Sequence, residues 1–393
     1  MTNQLPLKPM RKLLIELFKQ LYVLGLVLIG AFSTLSSCQN QVPKAKENAK
    51  NTVVFASGFA IYKTQDYTKL VIKNPFPNAN KTFVYYLVNK DQHPKINDGI
   101  IIKVPINRIV VTSTTHIPMI DALDKATSIV GFPNLDYIST PNVRKLIDEH
   151  KIVDLGNNLQ VNTEVLLGLN PDVLIGFSMQ SENKMYETIQ KAGIPVILNG
   201  DWLESTPLGR AEWLKFFGAL YQKDALADSL FNQIVNDYQQ ITKLALSAKE
   251  RPSVLSGNMN GAIWNLPAGE SYNAQFFKDA NTQYFWQNSK GNGSLNLSFE
   301  TVFSQAQNAQ IWIAAGAYKS FQQLKDANPH YSEFKSFKTK QIYTFALTIG
   351  AKGGSLFYEE AALKPNLVLK DIIKVVHPEL LPKYEPYFLK KLN

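Results

Sequence analysis

Apolar and polar positions follow one another along this chain in two rhythms. Between residues 51 and 106 the apolar residues come in short runs: Val53-Val54-Phe55, Leu70-Val71-Ile72, Thr82 to Val88 and Ile100 to Val104. Pro75, Pro77, Pro94 and an Asn97-Asp98-Gly99 turn separate them. Short β-branched and aromatic runs bounded in this way predict strands, here an antiparallel β segment. From Arg108 the pattern changes to strands alternating with helical stretches. Strands are predicted over 109–112, 128–131, 172–176 and 194–198, and helices over 118–126, 162–169 and 181–192. That alternation predicts a parallel sheet covered by helices. Over 207–249 the apolar residues recur at helical spacing, with Trp213, Phe216, Phe217 and Leu220 followed by Leu226, Leu230, Ile234 and Ile241. This predicts a long helical stretch in two pieces, stopped by Arg251-Pro252.

A second α/β block opens at Ser253-Val254-Leu255 and repeats the order of the first. Asn162-Thr163-Glu164-Val165-Leu166-Leu167 leads through Asn170-Pro171-Asp172 into Val173-Leu174-Ile175-Gly176. Ser298-Phe299-Glu300-Thr301-Val302-Phe303 leads through Gln307-Asn308-Ala309 into Ile311-Trp312-Ile313. Each block then closes with a comparable strand, Val196-Ile197-Leu198 and Gln341 to Phe345. The expected fold is α/β: two lobes with parallel sheets joined by a long inter-lobe helix, preceded by an N-terminal β segment. Loops at the carboxyl ends of parallel strands form ligand sites, so both sets of loops should face a shared cleft.

The N-terminus adds a separate signal. Lys8, Arg11 and Lys12 precede the apolar run 21–32, which is shorter than a bilayer span and suits a signal-peptide core. It ends in Leu35-Ser36-Ser37-Cys38, where Cys38 is the single cysteine of the chain. A polar stretch, 39–50, reads as a tether. The divisions are therefore 1–37 as leader, 38–50 as tether, 51–106 as β extension, 107–205 as first lobe, 206–250 as helical backbone and 251–393 as second lobe.

Composition narrows the classes. With 45% hydrophobic and 19% charged residues, the 393-residue chain is that of an ordinary globular protein. The net charge of +9 comes from scattered lysines rather than an arginine stripe, which argues against nucleic acid as partner. No Gly-x-Ser-x-Gly elbow, His-Glu-x-x-His or phosphate-binding glycine loop occurs. Glu359 and Glu360 are neighbours on a helix and point to different faces, so they form no acid–base pair. Reversible binding without a cofactor is the expectation. His93, His116, His150, His330 and His377 form no ligand-like cluster in the sequence, so no metal site is expected.

Taken together, 105–390 resembles the class III, helical-backbone substrate-binding proteins of ABC importers for iron-siderophores, haem and vitamin B12. The resemblance is carried by residues 162–175, by Lys191-Ala192-Gly193-Ile194-Pro195-Val196, and by 349–369 with Gly353-Gly354, followed by His377-Pro378-Glu379. Leu35-Ser36-Ser37-Cys38 resembles the bacterial lipobox. The resemblance implies a monomer anchored through acylated Cys38, facing the periplasm, with an ABC permease and its ATPase as partners. It also implies permease docking through Glu164 and Glu300. Asn162 and Ser298 are good N-caps that place each glutamate in a first helical turn, where the helix dipole favours it in any case.

The implied ligand is an iron-siderophore, with cobalamin or haem as alternatives; the other reading is a sensory or accessory lipoprotein of the same fold that serves no transporter. Thr115 and His116 follow a predicted strand, as does Phe177, and all three are candidates to line the cleft; a structural role for His116 is equally open. Trp264, Tyr272, Trp286, Tyr318 and Tyr358 are candidate aromatic contacts of the second lobe, although core or hinge packing is the stronger reading for each taken alone. Arg144, Lys319 and Lys352 are cations that could meet an anionic chelate. A long inter-lobe helix predicts small lobe movements.

Overall fold

The computed structural model describes residues 49–157, 160–180 and 183–393. Cys38 and the leader lie outside the described residues. Among the described residues no helix is long and apolar enough to cross a membrane.

The duplicated unit appears as two sheets of matching strand order. In the first lobe the order is Val196–Leu198, Val173–Gly176, Ile109–Val111, Ile129–Phe132 and Val153–Asp154, all parallel. In the second lobe Ile342–Thr344, Ile311–Ile313, Ser253–Ser256 and Gln283–Tyr284 follow the same order in parallel. An antiparallel edge strand, Lys390–Lys391, is added beside Ile342–Thr344. Side chains alternate across the first sheet with period two. Ile109, Val111, Val173 and Ile175 enter one core, and Val110, Leu174 and Val196 enter the other. Burial on both faces is why these strands read as unbroken apolar runs.

The helical stretch forms three helices rather than two: Pro207–Glu212, Leu214–Tyr221 and Asp224–Ala245. The chain turns at Gln222, whose φ of +56° is left-handed and cannot continue a helix. Helix Asp224–Ala245 links the lobes. Leu226 and Leu230 pack on the first core, Val235 and Ile241 on that of the second lobe, and Ile234 on both.

The N-terminal sheet has the order Phe59–Lys63, Thr68–Lys73, Thr82–Asn89, Ile100–Val104. Two corrections apply. The last pair, Thr82–Asn89 with Ile100–Val104, is parallel, because residues 90–99 carry the chain back along the sheet. Tyr86 donates to Asp98 at 2.9 Å and the Lys103 ammonium to the Gln92 carbonyl at 2.6 Å, holding that crossover. Val53-Val54-Phe55 is not a strand. Its N–H groups go to side chains instead of a ladder: Val53 donates to Asn51 at 3.1 Å, and Val54, Phe55 and the following Ala56 to the Glu212 carboxylate at 2.9, 2.6 and 2.8 Å. Ser57 and Gly58 donate to Glu204 at 2.9 and 2.8 Å, as does the Trp213 indole at 3.0 Å. Both carboxyl groups are buried, and each is met by several converging donors.

This sheet shares the core of the first lobe. Phe59, Ile61, Leu70, Ile72, Tyr85 and Ile102 pack in one cluster with Val111, Trp213 and Phe216. Each such side chain stabilises by about 1.5–3 kcal/mol when fully buried, so detaching the sheet would expose a whole core face.

Candidate functional site

Two cavities open where the strands of the two sheets end. The larger, about 500 Å³, lies beyond the carboxyl ends of the second sheet at Gly257 and Ala314, and is completed by Trp202, Leu203, Arg210 and Tyr272. The other, about 450 Å³, lies beyond the first sheet at Thr112, Ser113 and Thr114, and is roofed by Gly353, Gly354 and Tyr358 of the second lobe. Both therefore take walls from either side of the inter-lobe boundary.

The larger cavity carries the charge. The Arg210 guanidinium lies 3.7 Å from the Tyr272 ring centre, and its N–H groups donate to the carbonyls of Trp202 at 2.7 Å and Glu204 at 3.4 Å. Those contacts orient a planar cation along the cavity wall. Burial pushes the Tyr272 hydroxyl up to about 12, Arg210 opposing and Asp201 reinforcing the shift, so the phenol stays neutral. Asp201 is buried and accepts from the Thr115 hydroxyl at 2.7 Å, tying the loop after the first strand to the start of the helical backbone. Asn265, Asn273 and Ser271 supply further hydrogen-bonding groups.

The smaller cavity is aromatic. Phe132, Tyr137 and Phe177 come from the first lobe and Tyr358 from the second. Tyr358 is 73% exposed, so its ring is open to a bound molecule. Gly354 allows the close approach of the lobes here, since a Cβ on it would stand 2.4 Å from the Tyr137 carbonyl oxygen.

Several sequence candidates fall at these cavities. Phe177 and Tyr358 share the aromatic one, Lys352 is exposed beside Gly353 at its edge, and Tyr272 lies in the other. Thr115 lines neither but anchors Asp201. Others are placed elsewhere. His116 is fully buried against Phe217, with ring centres 5.5 Å apart and no hydrogen-bond partner on either ring nitrogen. Burial lowers its pKa to about 4 against the pull of Asp201, so the ring is a neutral core residue and not a cleft contact. Trp264 is likewise a core residue: it is 0% exposed, stacks on Trp312 at 5.4 Å and donates to the Ser256 carbonyl at 3.0 Å. Trp286 is buried beside Tyr284, and Tyr318 packs half-buried on the second core; neither lines these two cavities. Arg144 lines neither cavity, and one nitrogen of its guanidinium donates to the Leu135 and Ile138 carbonyls at 2.9 and 3.3 Å. Lys319 is exposed.

Arg210, Asp201, Phe132 and Tyr137 are the site residues that pattern reading missed. Arg210 sits inside an apolar-periodic helical stretch, where a cation reads as solvent-facing. The one available signal was its spacing from Trp213: three residues earlier, it falls on the same helical face as the apolar stripe and not on the solvent face.

Away from the cleft, Glu164 and Glu300 occupy equivalent first turns, in helices Thr163–Leu169 and Phe299–Ala306. Asn162 accepts from the Val165 N–H at 3.1 Å, and Ser298 from the Thr301 N–H at 3.2 Å. Both glutamates are exposed. The backbone N–H of Glu300 and the Ser298 side chain hold the Glu300 carboxyl below the usual range, keeping it ionised.

Comparison with known proteins agrees with this architecture. A profile described as periplasmic binding protein matches residues 109–346. An uncharacterized lipoprotein of Methanocaldococcus jannaschii is 28% identical over 92% of this chain and 96% of its own. Among solved structures, a periplasmic binding protein from Veillonella parvula superposes with a TM-score of 0.58 at 16% identity, over 86% of this chain and 98% of that one. A periplasmic heme binding protein of Vibrio cholerae superposes with a TM-score of 0.52 at 17% identity, over 67% of this chain and 99% of that one. At those identities the likeness is one of fold, and it is the two-lobed, helix-linked fold described above. With the profile spanning both lobes of the duplicated unit, the chain belongs to the periplasmic binding protein family.

Proposed function

We propose that this protein is the solute-binding component of an ABC importer, tethered to a bacterial membrane through acylated Cys38 and facing the periplasm. It captures an iron-siderophore-type chelate between its lobes and hands it to a permease, with no covalent chemistry of its own. The observation that carries this reading is the pair of inter-lobe cavities, one presenting the oriented Arg210 cation and the other four aromatic side chains. A chelate with an anionic shell and planar rings buries apolar area on the latter and meets charge on the former.

Delivery rests on Glu164 and Glu300, exposed carboxylates on matching helices that would meet cations of a two-fold permease, which its ATPase drives. Exposed ion pairs contribute about 0.2–1 kcal/mol each, which suits a monomeric receptor that must leave after each cycle.

A thermal-shift screen against ferric siderophores, haem and cobalamins tests the ligand class. Ligand at about a hundredfold its Kd should stabilise by about 2.7 kcal/mol. A flat response across all three classes would reject the reading, and a response to haem or cobalamin alone would replace the siderophore. The Glu164→Lys/Glu300→Lys variant should bind ligand normally and lose uptake; unimpaired uptake would remove the docking role.

A further inference from the structure

The N-terminal sheet lies outside residues 109–346, yet it reaches the cleft. Pro77, in the loop between strands Thr68–Lys73 and Thr82–Asn89, lines the 500 Å³ cavity. The same Pro77, with Leu203 and Asn292, also lines an adjoining cavity of about 430 Å³. The remaining walls of that second space come from the N-terminal sheet and the start of the helical backbone, including Ser57, Lys73, Asn74, Asn78 and Glu204.

This wall is fixed in place. Asn74 donates its N–H to the Lys81 carbonyl at 3.1 Å and Ala79 to that of Phe76 at 3.1 Å, while Phe76 and Ala79 are buried. The Lys73 N–H donates to the Gly58 carbonyl at 2.7 Å, and Gly58 is itself held by Glu204 at 2.8 Å. Backbone bonds thus run from the loop to the residue whose carbonyl receives Arg210.

We propose that the loop around Asn74, Pro77 and Asn78 is a third wall of the ligand cleft. In this arrangement the adjoining cavity takes the polar arm of a chelate whose body fills the larger one. The chemistry specifies the arm. Asn74, Asn78 and Asn292 each offer an amide donor and acceptor, and Lys73 adds a cation, while the Glu204 carboxylate is already engaged by Ser57, Gly58 and Trp213. An amide- or carboxylate-bearing arm fits such a surface; a bare cation or an apolar chain does not. This assignment rests on the solute-capture reading above and deepens it.

The test titrates the mature chain, followed by tryptophan fluorescence, with two kinds of ferric chelate. One kind is compact, such as the tris-acetohydroxamate complex; the other is a linear trihydroxamate carrying amide and carboxylate arms. In the Lys73→Ala/Asn78→Gly variant, two exposed positions that line only the adjoining cavity and whose change spares the core, affinity for the arm-bearing chelate should fall about tenfold or more. Affinity for the compact chelate should stay within about twofold. Equal affinity of variant and wild type for the arm-bearing chelate overturns the third wall but leaves solute capture standing. So does an equal loss for both chelates, or a wild type that accepts only the compact one. A wild type that binds no chelate, haem or cobalamin sinks both readings together.

Discussion

Glu359 and Thr140 stand on different lobes and are joined through a buried carboxylate. Glu359 accepts from the Thr140 N–H at 2.8 Å and hydroxyl at 2.5 Å, and from the Ser139 N–H at 2.6 Å. Both residues are buried, at 0% and 5% exposure. Thr140 stands at the N-terminus of helix Pro141–Asp148 with its hydroxyl turned to Glu359, so the carboxylate lies at the positive end of that helix. Ala362 and Leu363, just beyond Glu359, enter the first-lobe core. The lobes are latched at this point and bridged by helix Asp224–Ala245.

Breaking the latch should be costly. Glu359→Ala leaves the Ser139 and Thr140 N–H groups buried without acceptors, at about 2 kcal/mol, readable as a lowered urea midpoint. Glu359→Gln keeps an acceptor oxygen and should cost less than half as much. Small-angle scattering of the alanine variant should show a larger radius of gyration; equal stabilities for both variants would remove the latch.

The latch also has a pH signature. Burial raises the Glu359 carboxyl above the usual range, against the hydrogen bonds from Thr140 and Ser139 that lower it. The folded state then holds a proton that the unfolded state has released. The contribution of this group is therefore complete below the ordinary carboxylate pKa and is lost as pH rises through the raised folded value. Asp371 and Asp279 are raised by burial in the same direction, so the wild type has several sources of slope. Unfolding free energies from about pH 4 to about pH 8 should fall less steeply in Glu359→Gln than in the wild type. Parallel curves would contradict this.

Glu212 straps the N-terminal segment. Besides Val54, Phe55 and Ala56 it holds Lys215 at 3.2 Å, and Lys215 in turn pairs with Asp228 at 3.3 Å. Glu212→Ala strands three N–H donors and a lysine, and should cost about 3 kcal/mol. Limited proteolysis should cut within residues 51–58 faster than in the wild type; unchanged protection there would count against the strap.

Trp264 and Arg210 should separate packing from recognition. Trp264→Ala empties a site stacked on Trp312 and should cost about 4 kcal/mol, with ligand affinity of the folded fraction preserved. Arg210→Ala, at a half-buried cavity wall, should alter the melting temperature little and weaken an anionic chelate about tenfold or more. The reverse pattern, a stable Trp264 variant that no longer binds, would restore that residue to the ligand surface.

The sequence by itself determined the elements and their duplication. Short apolar runs such as Val173-Leu174-Ile175, bounded by Pro171-Asp172 and Gly176, read as strands buried on both faces, and Asn162 and Ser298 announce the helices that carry Glu164 and Glu300, because caps and periodicity act over a few residues. Which side chains face the cleft was decided by tertiary structure alone. His116 and Trp264 occupy loop-adjacent positions that read like Phe177 and Tyr358, yet packing buries the first pair and leaves the second at a cavity. Arg210 became a site residue only when Tyr272 folded beneath it. Val53-Val54-Phe55 lost its strand to Glu212, more than 150 residues away. Long-range contacts of this kind leave no local period in the chain, since the partner that satisfies each group is chosen by the packing of the lobes.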